Sequence, residues 1–579
     1  MLFISIFAFY FSYYKKNISD SLIITLATIY SAVLIFSIFI QHFNVHIFSL
    51  IVILFLSKIT YDSYATFKIH VNNNLEQRCL IVFIALVCVI LYFGLSREQL
   101  IWDEYAQWAY SVKYLTNYGW IPSSLEDAIG HGGVWYPWGL AIYSFSVSYP
   151  LINYSSTSPV IINCILLIAV YFLLNINKKI IWISLIYFFT LIIFVTGNGV
   201  FIGYADFSQS LIVAIAILYA LKISEQIKRD NRAIELSELS GFACSLILLV
   251  SVKESGKYIL AILFLTWALV FASEAIRTRN FAKICCAYLP AVLLAFLWTY
   301  KLSFISERSS RDIGIATNQN LENLGSFFFS AYEQCLSLPR LFTVPLLLLL
   351  ILYALKARFR DVGPSNFKFI TIFSIIYIIF IIAAFIFSFG TIEFVKANSF
   401  TRYIELISVL FTIILFEKII AFDYLIKFYN TISYLVFILL IWLAYNVSSN
   451  YKNIWEKNDI YLTEVSSLIY KKVGLSGVYY VDYATYGLHP IMINYFYPKS
   501  KILSYLPVSI YKDDHLPEII INDKNIIYII IIAETSRIHC YEKSSLAYTI
   551  SFKNPNNLSY VVIPKVNYYE TIDQSCLKK

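Results

Sequence analysis

Apolar runs separated by short polar breaks recur along almost the whole chain. Runs long enough to cross a ~30 Å hydrocarbon core as helices need roughly 17–25 residues. The pattern predicts spans near 2–14, 20–41, 46–62, 79–96, 157–175, 179–197, 207–224, 239–252, 256–274, 283–303, 341–356, 367–389, 402–418 and 429–447. The count is about fourteen, read from apolar periodicity alone. After residue 447 the pattern changes. GVYYVDY at 477–483 and NIIYIIIIAE at 525–534 are β-rich runs between polar, turn-rich segments. The second run is too short, and too polar at its flanks, to be another span.

These alternations divide the chain into a transmembrane region, 1–447, and a separate α/β or α+β domain, 448–579. Loops alternate in charge. Lys15/Lys16, Lys68/Arg78, Lys178/Lys179, Lys222/Lys228/Arg229/Arg232, Arg277/Arg279/Lys283, Lys356/Arg358/Arg360/Lys368 and Lys418/Lys427 occupy one set of short, acid-poor loops. That distribution marks the cytoplasmic side. The long or acid-bearing segments then fall outside: 97–156, 197–207, 252–256, 304–340, 390–401 and the tail. The opening MLFISIFAFYFSYY lacks a basic leader and a small-residue cleavage site, so it reads as an uncleaved span rather than a signal peptide.

Composition agrees with this picture. The 579 residues are 59% hydrophobic and 14% charged, well below the charged share of a water-solvated surface. The net charge of +8 is scattered in clusters between spans and is not a nucleic-acid signal. High Ile, Lys and Asn usage points to a bacterial chain, hence to an inner membrane whose outer side is periplasmic or extracellular. Of nine cysteines, most lie in or beside apolar runs, where cysteine behaves as a small hydrophobe. Cys540 and Cys576 lie in the polar tail and could pair if that tail is extracytoplasmic.

Candidate chemistry concentrates on the outer side. In SREQLIWDEYAQWAYSVKYL, Asp103 and Glu104 sit among Trp102, Tyr105 and Trp108. Adjacent helical positions diverge by about 100°, so only one of the two carboxylates can face a given substrate atom. Aromatic surroundings lower the local dielectric and suit a general base. Equally, Asp103 can be the N-cap of a juxtamembrane helix within an aromatic belt. Asp206 opens the span at 207 and is either a cap or a site acid. Lys253 and Glu254 interrupt the apolar stretch 241–271. Each charge at mid-membrane costs roughly 2.5–3.5 kcal/mol, so a hairpin tip at the outer surface is expected there. In that tip Lys253 or Lys257 could bind a phosphate. Arg402, with Lys396 one loop away, either snorkels or holds a phosphate bidentately. Arg308 and Arg311 are similar candidates. The chain has no Walker loop, HExxH, GxSxG or Rossmann fingerprint, which removes motif support for ATP-driven transport and hydrolysis.

The arrangement Trp102-Asp103-Glu104, Trp108, a His/Gly segment containing His131, then Tyr136-Pro137 and Gly139 resembles bacterial GT-C membrane glycosyltransferases. It is similar to the protein O-mannosyltransferase and aminoarabinose transferase-like superfamily. Trp138 replaces the second proline of the usual YPPG. Asp206, the Lys253-Glu254 apex and Ser399-Phe400 with Arg402-Tyr403 fit the same group, over roughly residues 80–420. The resemblance implies inverting transfer of a sugar from a polyprenyl-phosphate or -pyrophosphate donor to a glycan, lipid or protein acceptor. Asp103 or Glu104 would be the base. Asp206, Lys253, Lys257, Lys396, Arg402, His131 and Tyr136 would bind substrate or phosphate. No cofactor is implied, although some GT-C enzymes hold a divalent metal with acidic loop residues, here Asp103, Glu104 and Asp206. An O-antigen or capsule polymerase, a lipid-linked saccharide transporter and a scaffold remain as alternatives. The outer tail and the nearly charge-free spans weigh against the first two.

Overall fold

A computed structural model of the chain describes residues 2–10, 18–40, 42–62, 109–122, 137–148, 158–174, 205–230, 234–305, 313–337, 364–388, 394–397, 400–420, 477–482, 502–507, 526–534, 548–551 and 558–564, with isolated positions near 188–195 and 465–471. Expected spans at 79–96, 341–356 and 429–447, and Cys540 and Cys576, lie outside these residues. The helices are α1 (Leu2–Ala8), α2 (Ile18–Phe39), α3 (Val45–Asp62), α4 (Ala109–Tyr118), α5 (Gly139–Ser148), α6 (Ser158–Leu173) and α7 (Ala205–Asp230). They continue with α8 (Leu236–Val252), α9 (Gly256–Arg277), α10 (Phe281–Ile305), α11 (Ile313–Glu322), α12 (Leu324–Ser337), α13 (Pro364–Ser388) and α14 (Phe400–Ile420). Five strands follow: β1 (Gly477–Asp482), β2 (Ile502–Pro507), β3 (Ile526–Glu534), β4 (Tyr548–Ser551) and β5 (Leu558–Pro564).

The chain is an integral membrane protein. Among the described residues, five helices are long and apolar enough to cross a bilayer: Ile18–Phe39, Ala205–Lys228, Gly256–Arg277, Phe281–Ser303 and Lys368–Phe387. Two compact units contain the chain. The first comprises Met1–Arg97, Leu115–Ile121 and Tyr136–Ser448, the second Glu98–Tyr114, Pro122–Trp135 and Ser449–Lys579.

In the first unit α7 is the hub, packed by α6, α8, α9 and α14. Its apolar residues from Leu211 to Tyr219 are buried on every side. By contrast α9, α10 and α13 keep one face bare, with Leu269, Phe296 and Ile379 among the exposed side chains. In hydrocarbon such a face needs no cover, because lipid tails are as apolar as leucine. Polar contacts mark the two ends of this bundle. At one end Tyr219 donates to Asp20, Lys228 lies 5.2 Å over the Phe271 ring, and Phe271 stacks on Phe369. The basic residues Lys222, Lys228, Arg277 and Lys368 belong to helix segments at this end. At the other end Lys301 donates to the Ser37 carbonyl at 2.7 Å, and the 253–255 turn meets the start of α7.

Two segments expected to be loops contain helices. Within 97–156, α5 is a ten-residue, mostly apolar helix with three serines, nearly all of it buried against α2, α6 and α8. Ten residues rise only about 15 Å, too short to span, so α5 packs into the bundle without crossing it. Within 304–340, α11 and α12 form, and α12 packs on α14.

In the second unit the strands form one sheet ordered β2-β1-β3-β5-β4. β2-β1-β3 are parallel; β3-β5 and β5-β4 are antiparallel. The Ile529–Ile532 run on β3 is 0% exposed at every position, on both faces. A near-continuous apolar strand is what the middle of a covered sheet requires. The run is a strand and not a further span.

Candidate functional site

The hairpin α8–α9 turns at Lys253-Glu254-Ser255, as the interruption of the apolar stretch predicts. Lys253 leaves α8 in an extended conformation, and the Gly256 N–H closes the turn on the Lys253 carbonyl at 2.9 Å. Gly256 is required sterically: a Cβ there would collide with the Leu249 carbonyl oxygen. The turn is pinned to α7, where Ser255 Oγ donates to Gln209 Oε1 at 3.0 Å.

One turn earlier on α7, Asp206 is 6% exposed and both its oxygens are engaged. Lys253 Nζ donates to Oδ1, and Arg402 Nη2 donates to Oδ2 at 2.6 Å. Three separate elements therefore meet on one carboxylate. Asp206 lies in the first turn of α7, where a negative charge also suits the helix dipole. Burial pulls the Lys253 ammonium toward neutrality, but the facing Asp206 carboxylate outweighs it and holds the pKa above the ordinary lysine value. Lys253 Nζ also lies 4.8 Å from the centre of the Tyr403 ring, a cation–π contact.

Arg402 is positioned by an aromatic cluster at the entry to α14. Phe327 of α12 stacks on Phe394 at 4.7 Å and meets Phe385 and Phe400 edgewise or tilted. Ala397, at φ 46°, accepts the Phe400 N–H and starts the helix. Tyr377 then donates to the Tyr403 carbonyl at 3.2 Å.

The end of the first large loop also reaches this turn. Tyr143 on α5 lies 2.6 Å from Ser251 Oγ, while Ser251 gives its own hydrogen to the Leu248 carbonyl. Tyr143 is therefore the donor. Gly139 sits against Ser251, with room for no side chain.

Asp206, Lys253 and Arg402 by themselves carry a net charge of +1 at neutral pH. Gln209 Nε2 adds a buried donor with no acceptor among the described residues. Glu405, one turn past Arg402, has a buried Oε1 that accepts no hydrogen bond among the described residues.

Of the residues singled out from the sequence, Asp206, Lys253 and Arg402 come together. Lys257 does not join them; it pairs with Glu254 three residues before it. Lys396 is exposed, its backbone carbonyl accepting from Gln334 at 2.7 Å. Asp103, Glu104, His131, Tyr136, Arg308 and Arg311 lie outside the described residues. Asp206 has both oxygens committed to cations, and no group of three metal-type ligands occurs among the described residues. Tyr403 was noted only as part of the Ser399–Tyr403 motif; Gln209, Ser255 and Glu405 had no separate signal in the sequence, although a glutamate in an apolar run, on the face of Arg402, could have drawn notice.

No family model matches the chain, and no curated protein sequence matches it. Among solved structures it is similar to ArnT from Cupriavidus metallidurans bound to undecaprenyl phosphate, with a TM-score of 0.51 and 10% identity over 83% of this chain and 97% of that one. The apo state of the same protein gives a TM-score of 0.48 and 9% identity over the same shares. At such identity the likeness speaks for the fold and not for individual residues. The match covers nearly all of that structure, so the chain shares the fold of ArnT.

Proposed function

We propose that this protein transfers a sugar from a polyprenyl-phosphate or -pyrophosphate donor to an envelope glycan, lipid or protein, with inversion at the anomeric carbon. The observation that carries the reading is the convergence of Lys253 and Arg402 on Asp206 at one end of a membrane-spanning bundle. The solved structure with the similar fold holds undecaprenyl phosphate, a ligand of the same chemistry.

In this reading Asp206 holds the two cations side by side for a phosphate. Asp103 or Glu104 takes the proton of the acceptor hydroxyl. The freed oxygen bonds to the anomeric carbon as the bond from that carbon to the phosphate oxygen breaks. Negative charge moves onto the departing phosphate, where Lys253 and Arg402 stabilise it in a site poor in water. Gln209 Nε2 is placed to donate to the same group. Lys222, Lys228, Arg277 and Lys368 lie at the opposite end from this cluster; in this reading that end is cytoplasmic and the reaction runs on the outer, periplasmic face of a bacterial inner membrane.

The test is a mass profile of glycolipids and surface polysaccharides from cells carrying wild type, a deletion or Asp103→Asn. One defined glycan should vanish in both mutants while the protein stays in the membrane. Accumulation of complete lipid-linked units in the deletion, with Asp103→Asn behaving as wild type, would transfer the assignment to a polymerase or flippase.

A further inference from the structure

Arg402 and Glu405 lie three residues apart on α14, on one face of that helix. Asp206 and Gln209 have the same spacing on α7, which packs against α14. Both helices begin at the end that holds the ion pairs, and helical side chains lean toward the start of their helix. The heads of Gln209 and Glu405 therefore rise to the level of Asp206 and Arg402. Ser255 Oγ donates to Gln209 Oε1 at 3.0 Å, which fixes the amide and leaves Nε2 as its donor end. The Glu405 carboxyl is within electrostatic reach of both Asp206 and Arg402. Gln209 is 3% exposed, and neither Gln209 Nε2 nor Glu405 Oε1 has a hydrogen-bond partner among the described residues. One unmet donor and one unmet acceptor thus flank the two cations.

Buried polar atoms in native proteins are nearly all hydrogen-bonded, so each of these calls for a partner. A phosphate can serve three of the groups, accepting from Lys253, Arg402 and Gln209 Nε2. It cannot serve Glu405 Oε1, because an ionised phosphate and a carboxylate oxygen are both acceptors. A ligand that completes all four is an anion with a hydrogen-bond donor close beside it. A glycosyl phosphate has that form. Its phosphate oxygen is bonded to the anomeric carbon, and the neighbouring C2 carries a hydroxyl, or an amide N–H in a 2-acetamido sugar. The lipid phosphate left after transfer has lost this donor and, near pH 7, is almost entirely an acceptor.

We infer that Glu405 reads the sugar: its Oε1 accepts a hydrogen bond from the C2 substituent, so the site holds the sugar-loaded lipid in preference to the bare one. The inference rests on the donor class proposed above and adds to it a requirement at C2. Sites built to hydrogen-bond a hydroxyl reject an analogue without it far more strongly than apolar pockets reject a missing methylene.

The experiment titrates the full-length protein in nanodiscs with C55 polyprenyl phosphate, either bare or carrying glucose, mannose, 2-acetamido-2-deoxyglucose or 2-deoxyglucose. Wild type should bind at least one of the first three loaded probes about tenfold or more tighter than the bare lipid, equivalent to about 1.4 kcal/mol. The 2-deoxyglucose probe should gain nothing over the bare lipid. Glu405→Met, which replaces the carboxyl by an apolar group of similar length, should weaken the preferred probe about tenfold and leave bare-lipid affinity within about threefold. Glu405→Gln keeps a carbonyl acceptor in the same volume and should restore part of the preference. A Glu405→Met protein that still prefers the loaded lipid would overturn the inference. So would equal weakening of loaded and bare probes, which a merely structural role predicts. If wild type binds the bare lipid and shows no preference for any loaded probe, the inference falls alone. If it binds no polyprenyl phosphate, bare or loaded, the donor class of the proposed function falls and the inference with it.

Discussion

Gly139 and Ser251 are in contact across the interface of α5 and α8, with no space for a β-carbon between them: one built on Gly139 would fall 2.7 Å from the Ser251 carbonyl carbon. The obstacle is backbone, two residues before Lys253, and cannot swing aside as a side chain would. Gly139→Ala should therefore push α5 off α8 and disturb the turn that presents Lys253. Overpacking of this kind typically costs about 1–3 kcal/mol. A lowered melting temperature of the purified protein, together with weaker polyprenyl phosphate binding, is the expected outcome; unchanged values for both would show that α5 does not brace the turn.

Asp206→Asn removes the charge that holds Lys253 and Arg402 together. Taking one partner from a buried ion pair commonly costs about 3–5 kcal/mol, because the other charge remains buried. Stability should fall, and phosphate-lipid binding with it. Tighter binding in the variant would mean that Asp206 competes with the phosphate instead of positioning its ligands.

Arg402→Lys keeps the charge but loses the planar fork that can reach Asp206 and a phosphate together. Its binding of polyprenyl phosphate should resemble that of Arg402→Ala more than wild type. Lys396→Ala, which removes an exposed side chain, should change affinity by less than about 1 kcal/mol. Isothermal titration of the three variants side by side decides between a site built on geometry and a diffuse positive field.

The pH dependence follows from Lys253. Its folded pKa is raised, so its stabilising pair with Asp206 is fully present below the ordinary lysine value of 10.5 and is lost only as the pH climbs through the higher folded value. Phosphate-lipid binding should accordingly show no lysine-type decline up to that pH. A fall centred well below it would mean that Lys253 is neutral when the site works.

Much of the bundle was legible because charges interrupt apolar runs at defined places. Lys253-Glu254 announced the tip of the α8–α9 hairpin, and the observed helices end at Val252 and resume at Gly256. The length of IIYIIIIAE separated a strand from a span. Sidedness alone put Asp206 and Arg402 at the same end, and the structure then joined them. It could not foresee that Lys257 would turn to Glu254, since residues 253 and 257 differ only in which way the first turn of α9 points them. α5 was missed because ten mostly apolar residues satisfy neither the length of a span nor the polarity of a loop. Gln209 and Ser255 are ordinary polar side chains whose role arises from tertiary proximity, which periodicity does not encode. Asp103, Glu104, His131 and Tyr136 lie outside the described residues and rest on sequence.

The charge balance at Asp206 has a consequence for turnover. Lys253, Arg402 and Asp206 sum to a single positive charge, equal and opposite to that of a phosphodiester-linked sugar. Once the sugar has gone, the lipid phosphate is a monoester carrying roughly 1.5 to 2 negative charges near pH 7. The second of these has no counterpart in the trio. For a polyprenyl-phosphate donor these three groups are thus matched to the bound sugar phosphate and outweighed by the product, an imbalance that favours product leaving over product inhibition.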